Sequence, residues 1–281
     1  MDVALIAALL SLFLDRYAES LDERRRWEWF PRYCRWFQRR FGLRGIWSLL
    51  FLLFWPLLLT TWVYQWLDDL FWLFGLGAAV AVLFYSFGPL NLLQQIETWQ
   101  DMKNRGDLQG SYRLAAEIRQ GEVEESEAGI EQAVMDGILL QTNERLLAVL
   151  FWFVLLGPLG ALLYRMVSLT ENWARRELPG SDFLQAAWHL HDILAWMPAR
   201  LCAISYALSG SFIGALAHWQ DRTAMIRDHY SRILLACGRG ALQGEAAAGS
   251  DRVQETLSLV HRATVIWLTA LALMTLAGWV R

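Results

Sequence analysis

Long stretches without charge constrain the fold of this sequence more than any other feature. Residues 45–67 carry no charged side chain, and after the pair Asp68 and Asp69 residues 70–96 carry none either. A helix of about 20 apolar residues crosses the roughly 30 Å hydrocarbon core of a bilayer, so these stretches predict a tight transmembrane hairpin. Further apolar runs occupy residues 146–164, 201–217 and 263–280. We therefore predict an all-α fold, a polytopic bundle of transmembrane helices.

The apolar run at the N-terminus is shorter than the others. Residues 3–14 lie between Asp2 and Asp15 and are short for a full span. A secretory signal would carry cations before this run and a small-residue cleavage site after it, whereas here the arginines follow it. We expect a retained anchor.

Composition supports a membrane protein and excludes other classes. The chain is 56% hydrophobic and 19% charged, and its 16 Trp suit the two interfaces of a bilayer. A formal net charge of −3 argues against a strongly basic nucleic-acid-binding protein. The three cysteines, Cys34, Cys202 and Cys237, are odd in number and far apart in sequence. We therefore expect free thiols rather than a disulfide framework or a CxxC site.

The distribution of cations predicts the orientation. Nine Arg lie in residues 15–45, five Lys or Arg in 91–145, and six Arg in 218–262. The positive-inside rule places these segments in the cytoplasm, with the N-terminus outside and six membrane segments. However, Gly157-Pro158-Leu159-Gly160 interrupts the run 146–164, which suits a re-entrant or broken helix pair, and Pro198 marks a second candidate break. Between four and six full crossings remain open.

Composition also divides the chain into three regions. Residues 1–90 hold the anchor, an interfacial segment rich in Arg and aromatic residues, and the hairpin. Residues 91–145 hold 11 Asp or Glu against five Lys or Arg, and predict a small cytoplasmic helical region. Residues 146–281 form a C-terminal membrane region. Breaks between the short helices of the middle region are expected at Gly106-Asp107, Gly110 and Gly121.

Arginines alternate with aromatic residues throughout residues 24–41. This pattern could clamp single-stranded nucleic acid by stacking. The position between membrane segments favours an interfacial helix, with rings at headgroup level and guanidinium groups on anionic lipid phosphates. We predict membrane lipids as the partner and no nucleic acid.

Polar residues set among apolar ones mark the candidate site. Charges at membrane depth are costly and usually face a partner or a wet cavity. Two interpretations stay open: salt bridges between helices that fix their register, or a small cavity for an anionic or amide-bearing ligand. The candidate ligand-binding residues are Tyr164, Arg165, Ser168, Glu171, Asn172, Asp192 and Arg200.

No familiar catalytic or metal motif is present. His189 and His191 are two apart, so on a helix they face different directions, and we predict no metal site. GxxxxGK[ST], GxGxxG and GxSxG are absent. Catalytic residues are not identified by pattern.

Two long segments carry a family resemblance. LAVLFWFVLLGPLGALLYRMVSLTENW (147–173) resembles a pattern in which APLFW, a Gly/Pro-rich break and ALAYRAVNTLD follow each other. LHDILAWMPARLCAISYALSG (190–210) resembles LDDVLNWIPARL, and the Gly106-Asp107-Leu108 corner resembles a shared loop. These segments resemble the AmpE proteins and their wider superfamily, the CobD/CbiB cobalamin-biosynthesis enzymes.

The AmpE resemblance implies a multi-pass protein of the bacterial inner membrane that modulates β-lactamase induction and the response to β-lactams or cell-wall fragments. It would sense a ligand in the polar cluster and work with a muropeptide amidase of the AmpD kind. The wider resemblance implies the alternative, a nucleotide-dependent enzyme that joins aminopropanol or its phosphate to a corrinoid carboxylate with Mg-ATP. A transporter is less favoured because no clear internal repeat is seen.

Departures from the superfamily pattern bear on this choice. Ser168-Leu169-Thr170-Glu171 replaces Asn-Thr-Leu-Asp, and Gln141-Thr142-Asn143-Glu144-Arg145 replaces a segment rich in Glu and Asn or Asp. Fewer acidic and amide groups are left to hold a metal-phosphate, while Arg165, Asp192 and Arg200 are retained. The departures favour a regulatory protein over a ligase, and whether it is an enzyme stays open.

Overall fold

A computed structural model describes residues 3–17, 27–88, 91–219, 230–242 and 251–277 of the protein. These residues form helices and no strand, which confirms the predicted all-α class. The helices are α1 (Val3–Tyr17), α2 (Trp29–Phe41), α3 (Gly45–Leu70), α4 (Trp72–Phe87), α5 (Asn91–Asn104), α6 (Leu108–Arg119), α7 (Glu127–Thr142), a π turn (Asn143–Leu147), α8 (Ala148–Leu156), α9 (Pro158–Glu177), α10 (Asp182–Ser209), α11 (Phe212–Trp219), α12 (Tyr230–Leu242) and α13 (Arg252–Leu276).

The chain folds into two compact units, each built from separate stretches. Unit 1 comprises Met1–Pro89, Ala148–Ala195 and Leu271–Arg281, and unit 2 comprises Leu90–Leu147 and Trp196–Ala270. The three-region division expected from composition stays a prediction.

Four stretches within the described residues are long and apolar enough to cross a membrane. One of them, Trp72–Asn104, runs over two residues outside the described set. The helix Leu5–Leu14 is apolar but shorter, as expected from its run. The four stretches are Gly45–Leu70, Trp72–Asn104, Glu127–Leu156 and Arg252–Leu276.

The predicted hairpin is present in unit 1. Helix α3 ends at Leu70 and α4 begins at Trp72, so Phe71 alone, with extended backbone, joins them. The Asp68 carboxylate lies against Gly75, where a Cβ would collide with it, and this close approach brings the two helices together at the corner. Exposed rings, including Trp47 and Trp62, cover α3.

The run 146–164 is not a single helix, which confirms the predicted break within it. Helix α8 ends at Leu156, Gly157 has φ +70°, and α9 begins with Pro158 at its first position. Gly160 packs on the backbone carbonyl of Trp152, where any side chain would collide. Helices α8 and α9 therefore form a helical hairpin.

The second expected break is absent, because α10 runs unbroken through Pro198. A proline leaves the carbonyl four residues earlier without its helical donor. Here that carbonyl belongs to Leu194, and the Trp152 indole N–H donates to it at 3.0 Å. A side chain of α8 thus satisfies the group that Pro198 frees.

The predicted span 201–217 is also wrong as one helix. Helix α10 ends at Ser209, and the Ser211 hydroxyl then accepts from the Gly214 N–H at 3.2 Å and starts α11. In the middle region the break at Gly106 (φ +74°) is confirmed, but Gly110 lies inside α6. Asp107 caps that helix by accepting from the Gly110 N–H at 2.9 Å.

Candidate functional site

Helices α9 and α10 carry the two motif segments, and their buried faces meet within unit 1. Helix α9 ends with Arg175 and Arg176 in its last turn, where cations favour the negative end of the helix dipole. Helix α10 is preceded by Ser181, whose hydroxyl accepts from the Leu184 N–H at 3.1 Å.

A buried ionisable network connects the two helices. Glu171 is 3% exposed and contacts Arg175 through one carboxylate oxygen and His191 through the other. His191 Nδ1 therefore donates to the carboxylate, and Nε2 lies 3.3 Å from the Tyr164 hydroxyl. In the neutral tautomer Nε2 accepts from that hydroxyl. Tyr164, His191 and Glu171 form one chain of hydrogen bonds.

The electrostatics of Glu171 follow from these contacts. Burial alone would raise the pKa of Glu171, but the hydrogen bond and charge of His191, and then those of Arg175, lower it below its ordinary value of 4.5. The carboxyl group is thus held in its ionised form by its partners. The hydrogen bond between Glu171 and His191 links α9 to α10.

Sequence analysis did not identify His191 as a site residue. It was considered only as a metal ligand, together with His189, which proves to be exposed. A signal was available, because His191 falls four residues after Ala187 and three before Leu194, on the apolar stripe that α10 buries. In the resembling segment LDDVLNWIPARL the same position is Asp.

Arg165 is buried at 6% exposure and lies near the end of α4. A Cβ on Gly88 would come within 2.7 Å of the Arg165 guanidinium, and Gly88 has φ +75°. A glycine at this corner therefore permits both the turn and the close approach of the cation.

The remaining candidates of unit 1 lie on the same two helices. Ser168 is fully buried on α9, between Tyr164 and Glu171. Asn172 and Asp192 are half-buried. These placements put six of the seven predicted residues in one unit, and their role in ligand binding stays a prediction.

Arg200 lies in unit 2 and has a different environment. Its guanidinium stacks on the Trp196 ring at 3.8 Å from the centroid and donates to the Trp196 carbonyl at 3.0 Å. This cation–π contact between two motif residues holds the arginine along its own helix.

A second buried ionic group, in unit 2, was not anticipated. Asp136 is fully buried, and Arg239 binds both of its oxygens, at 2.9 and 2.5 Å. Arg119 approaches the same carboxylate at 3.7 Å, and Gln132 donates to it at 3.0 Å. The hydrogen bond to Asp136 raises the pKa of Arg239 above its ordinary value.

The described residues do not contain three His, Cys, Asp or Glu side chains grouped to hold a metal ion. Mg²⁺ that arrives on nucleotide phosphates needs only one or two protein carboxylates. Asp192, on α10, is the second carboxylate of the predicted cluster.

Comparison with known proteins gives consistent matches. A family model described as CobD/Cbib protein matches residues 8–244, which include both motif segments. The cobalamin biosynthesis protein CobD of Stutzerimonas stutzeri (strain A1501) is 27% identical over 246 residues, or 80% of this chain and 79% of that protein. The cobalamin biosynthesis protein CobD of Chromobacterium violaceum is 30% identical over 215 residues, or 76% of this chain and 67% of that protein. No solved structure matches.

Proposed function

Because the chain belongs to the CobD/CbiB family, we propose that it is a membrane enzyme of cobalamin biosynthesis that joins an amine to a carboxylate. One structural observation supports this proposal. The two segments that resemble the family's motifs pack together, joined by the Glu171–His191 pair and by the bond from Trp152 to Leu194. An arrangement that aligns both motifs suits a shared site.

In the proposed reaction a carboxylate oxygen attacks a phosphorus of a nucleoside triphosphate and forms a mixed anhydride with a phosphoryl or nucleotidyl group. The bond from that phosphorus to its bridging oxygen breaks, and a nucleoside diphosphate or pyrophosphate leaves. The amine nitrogen of an amino alcohol then attacks the carboxyl carbon. The new C–N bond forms, the bond from that carbon to the phosphate oxygen breaks, and the nitrogen gives up one proton.

Two residues have the chemistry that this reaction needs. The Arg165 guanidinium suits an anionic carboxylate or phosphate, and the Asp192 carboxylate suits the ammonium group and its proton. We assign Glu171, His191 and Tyr164 a positioning role, because their buried network sets how α9 and α10 present those two groups.

Rescue of a CobD-deficient strain on medium that demands cobalamin synthesis tests the proposal. We expect the wild-type chain to restore growth, and Arg165→Ala and Asp192→Ala to fail while still present in the membrane. Glu177→Gln, which changes an exposed carboxylate at the end of α9, is the matched control and should rescue. Absence of rescue by the wild-type chain, with protein in the membrane, would contradict corrinoid chemistry.

A second candidate is the AmpE-like regulatory function, and the environment of Glu171 favours it. Both oxygens of Glu171 are held by Arg175 and His191, and His191 stands where the family segment carries Asp. One acidic group of the family segment is thus replaced by His191, and the Glu171 carboxylate is occupied by Arg175 and His191. The protein would then sense cell-wall fragments or β-lactams and act with a muropeptide amidase of the AmpD kind.

Induction of β-lactamase separates this candidate from the first. A strain carrying Arg165→Ala and Asp192→Ala should show altered induction by a β-lactam, with the protein still in the membrane. Normal induction would refute the sensor. If the wild-type chain rescues the CobD-deficient strain and the strain carrying Arg165→Ala and Asp192→Ala shows normal induction, the protein acts only as the enzyme.

We further propose location in the bacterial inner membrane, with the Arg-rich segments in the cytoplasm. Since α8 and α9 form a hairpin, the end of α9 should return to the side on which α8 begins, directly after the segment 91–145. Glu177→Cys in a chain without other cysteines should therefore resist an impermeant thiol reagent on intact spheroplasts. Labelling from outside would contradict this topology.

A further inference from the structure

We propose that the exposed face of α2 binds the headgroups of anionic phospholipids. The observation behind this proposal is a division of the helix into two faces. Phe30, Cys34 and Phe37 are buried on one side. The other side carries the arginine face, defined by four exposed residues: Arg32, Arg35, Arg39 and Arg40.

The arginine face combines positive charge with aromatic rings. Its positions follow the spacing i, i+3, i+7 and i+8, so the four guanidinium groups share one side of the helix. Trp29, Trp36 and Phe41 are 42%, 57% and 56% exposed. Among the described residues no acidic side chain pairs with the four arginines. This surface is complementary to phosphate groups beside a hydrocarbon layer.

Contacts with α3 place this face at the level of a membrane surface. The Tyr33 hydroxyl donates to the Leu52 carbonyl at 2.9 Å, and the Phe37 and Phe51 rings pack 5.5 Å apart. Helix α3 has 26 residues and is about 39 Å long, roughly 9 Å more than the hydrocarbon core. Shared between the two ends, this excess places about the first turn of α3 in the headgroup layer, and Phe51 and Leu52, which contact α2, lie on the second turn.

The other end of α2 is also held in place. The Trp29 indole N–H donates to the Tyr85 hydroxyl at 2.6 Å, and the Trp27 indole N–H donates to the Tyr85 carbonyl at 3.1 Å. The helix is thus fixed to both α3 and α4 of the hairpin before any lipid binds. A pre-organised surface loses little conformational entropy on binding.

Single-stranded nucleic acid is the other polyanion that such a face would attract. The position of α2 on a membrane-spanning hairpin and the exposed rings favour lipid, because rings at a bilayer interface insert among headgroups.

Native mass spectrometry of the detergent-purified full chain tests the proposal. Phosphatidylglycerol and phosphatidylcholine with the same acyl chains are added, and bound lipids are counted. Each arginine near an anionic surface changes affinity about five-fold, so Arg35→Gln with Arg39→Gln should weaken phosphatidylglycerol binding about 25-fold. The pair Arg105→Gln and Arg113→Gln, which removes equal charge from exposed positions of the α5–α6 region, is the control.

The lipid preference of the wild-type chain should also fall as salt rises from 0.1 M to 1 M, because the screening length falls from about 10 Å to about 3 Å. This measurement needs no variant. Arg35→Lys with Arg39→Lys, which keeps the charge, should retain the preference.

Equal binding of both lipids by the wild-type chain would overturn the proposal. A preference that survives in the Arg35→Gln and Arg39→Gln variant, or that the control variant loses equally, would overturn it as well. Binding of a single-stranded oligonucleotide through the same arginines, without preference for phosphatidylglycerol, would replace the lipid with nucleic acid. None of these results depends on the proposed enzymatic function.

Discussion

We expect the loss of the Trp152 indole N–H to destabilise the protein, because this group replaces a helical hydrogen bond that Pro198 removes from α10. Pro198 deprives the Leu194 carbonyl of its helical donor, and Trp152 supplies a replacement at 3.0 Å. A buried acceptor left without a donor costs about 1–3 kcal/mol. We therefore expect Trp152→Phe to lower the free energy of unfolding by about 2 kcal/mol.

The double-mutant cycle with Pro198→Ala isolates this bond. Alanine restores the backbone N–H that donates to the Leu194 carbonyl, so Trp152→Phe should cost almost nothing in that background. The small loss of apolar contact between indole and phenyl is the same in both backgrounds and cancels. The expected coupling is about 1–2 kcal/mol, or a difference of roughly 2–6 °C in the midpoint of thermal unfolding.

The three cysteines provide the assay. Cys34, Cys202 and Cys237 are buried and free, so a thiol-reactive dye reports unfolding in detergent. Trp173→Phe is a matched control, because the Trp173 indole N–H is buried but donates to no described group. Equal costs for Trp152→Phe and Trp173→Phe, or an unchanged cost for Trp152→Phe beside Pro198→Ala, would refute the reasoning.

Three further changes test the buried charges and the glycine corner by the same dye assay. Glu171→Gln should lower the free energy of unfolding by about 3 kcal/mol at pH 7. Because the pKa of Glu171 is lowered in the folded protein, the stabilisation from its carboxylate is complete above the ordinary value of 4.5 and is lost as pH falls through the folded pKa. The free energies of unfolding of variant and wild type should therefore converge in acid. A difference that stays constant with pH would contradict the lowered pKa of Glu171. Gly88→Ala should cost about 1–2 kcal/mol, since φ is +75° and the new Cβ meets Arg165, and a neutral result would show that the corner relaxes. Arg239→Ala should lower the free energy of unfolding by about 3–5 kcal/mol, because it leaves the fully buried Asp136 carboxylate without its two-pronged partner, whereas a cost under about 1 kcal/mol would show that Arg119 and Gln132 suffice.

Sequence patterns predicted the membrane hairpin well. The uncharged residues 45–67 lie in α3, and the turn to α4 comes at Phe71, directly after Asp68, Asp69 and Leu70. The predicted second arm, 70–96, is longer than α4, which ends at Phe87, and residues 91–96 begin α5. The break near Gly157 was also predictable, because Gly and Pro act on the backbone at their own position. The break expected at Pro198 was wrong. Whether a proline breaks a helix depends on whether another residue donates to the freed carbonyl, and here the Trp152 indole N–H does so.

The candidate site was predicted in part. Tyr164, Arg165, Ser168 and Glu171 are buried on α9, as charges in apolar surroundings indicated. The partners of Glu171 were not predicted, because His191 is 20 residues away on another helix.

What the sequence determined by itself was the all-α class, the apolar stretches that can span a membrane, and membership in a family. Each depends on local sums of side-chain transfer free energies or on runs of adjacent residues. What only the tertiary structure decided was pairing: Glu171 with His191, and Asp136 with Arg239 across 103 positions. A buried charge is stabilised by whichever partner packing brings within hydrogen-bond distance, and that depends on how the helices are arranged.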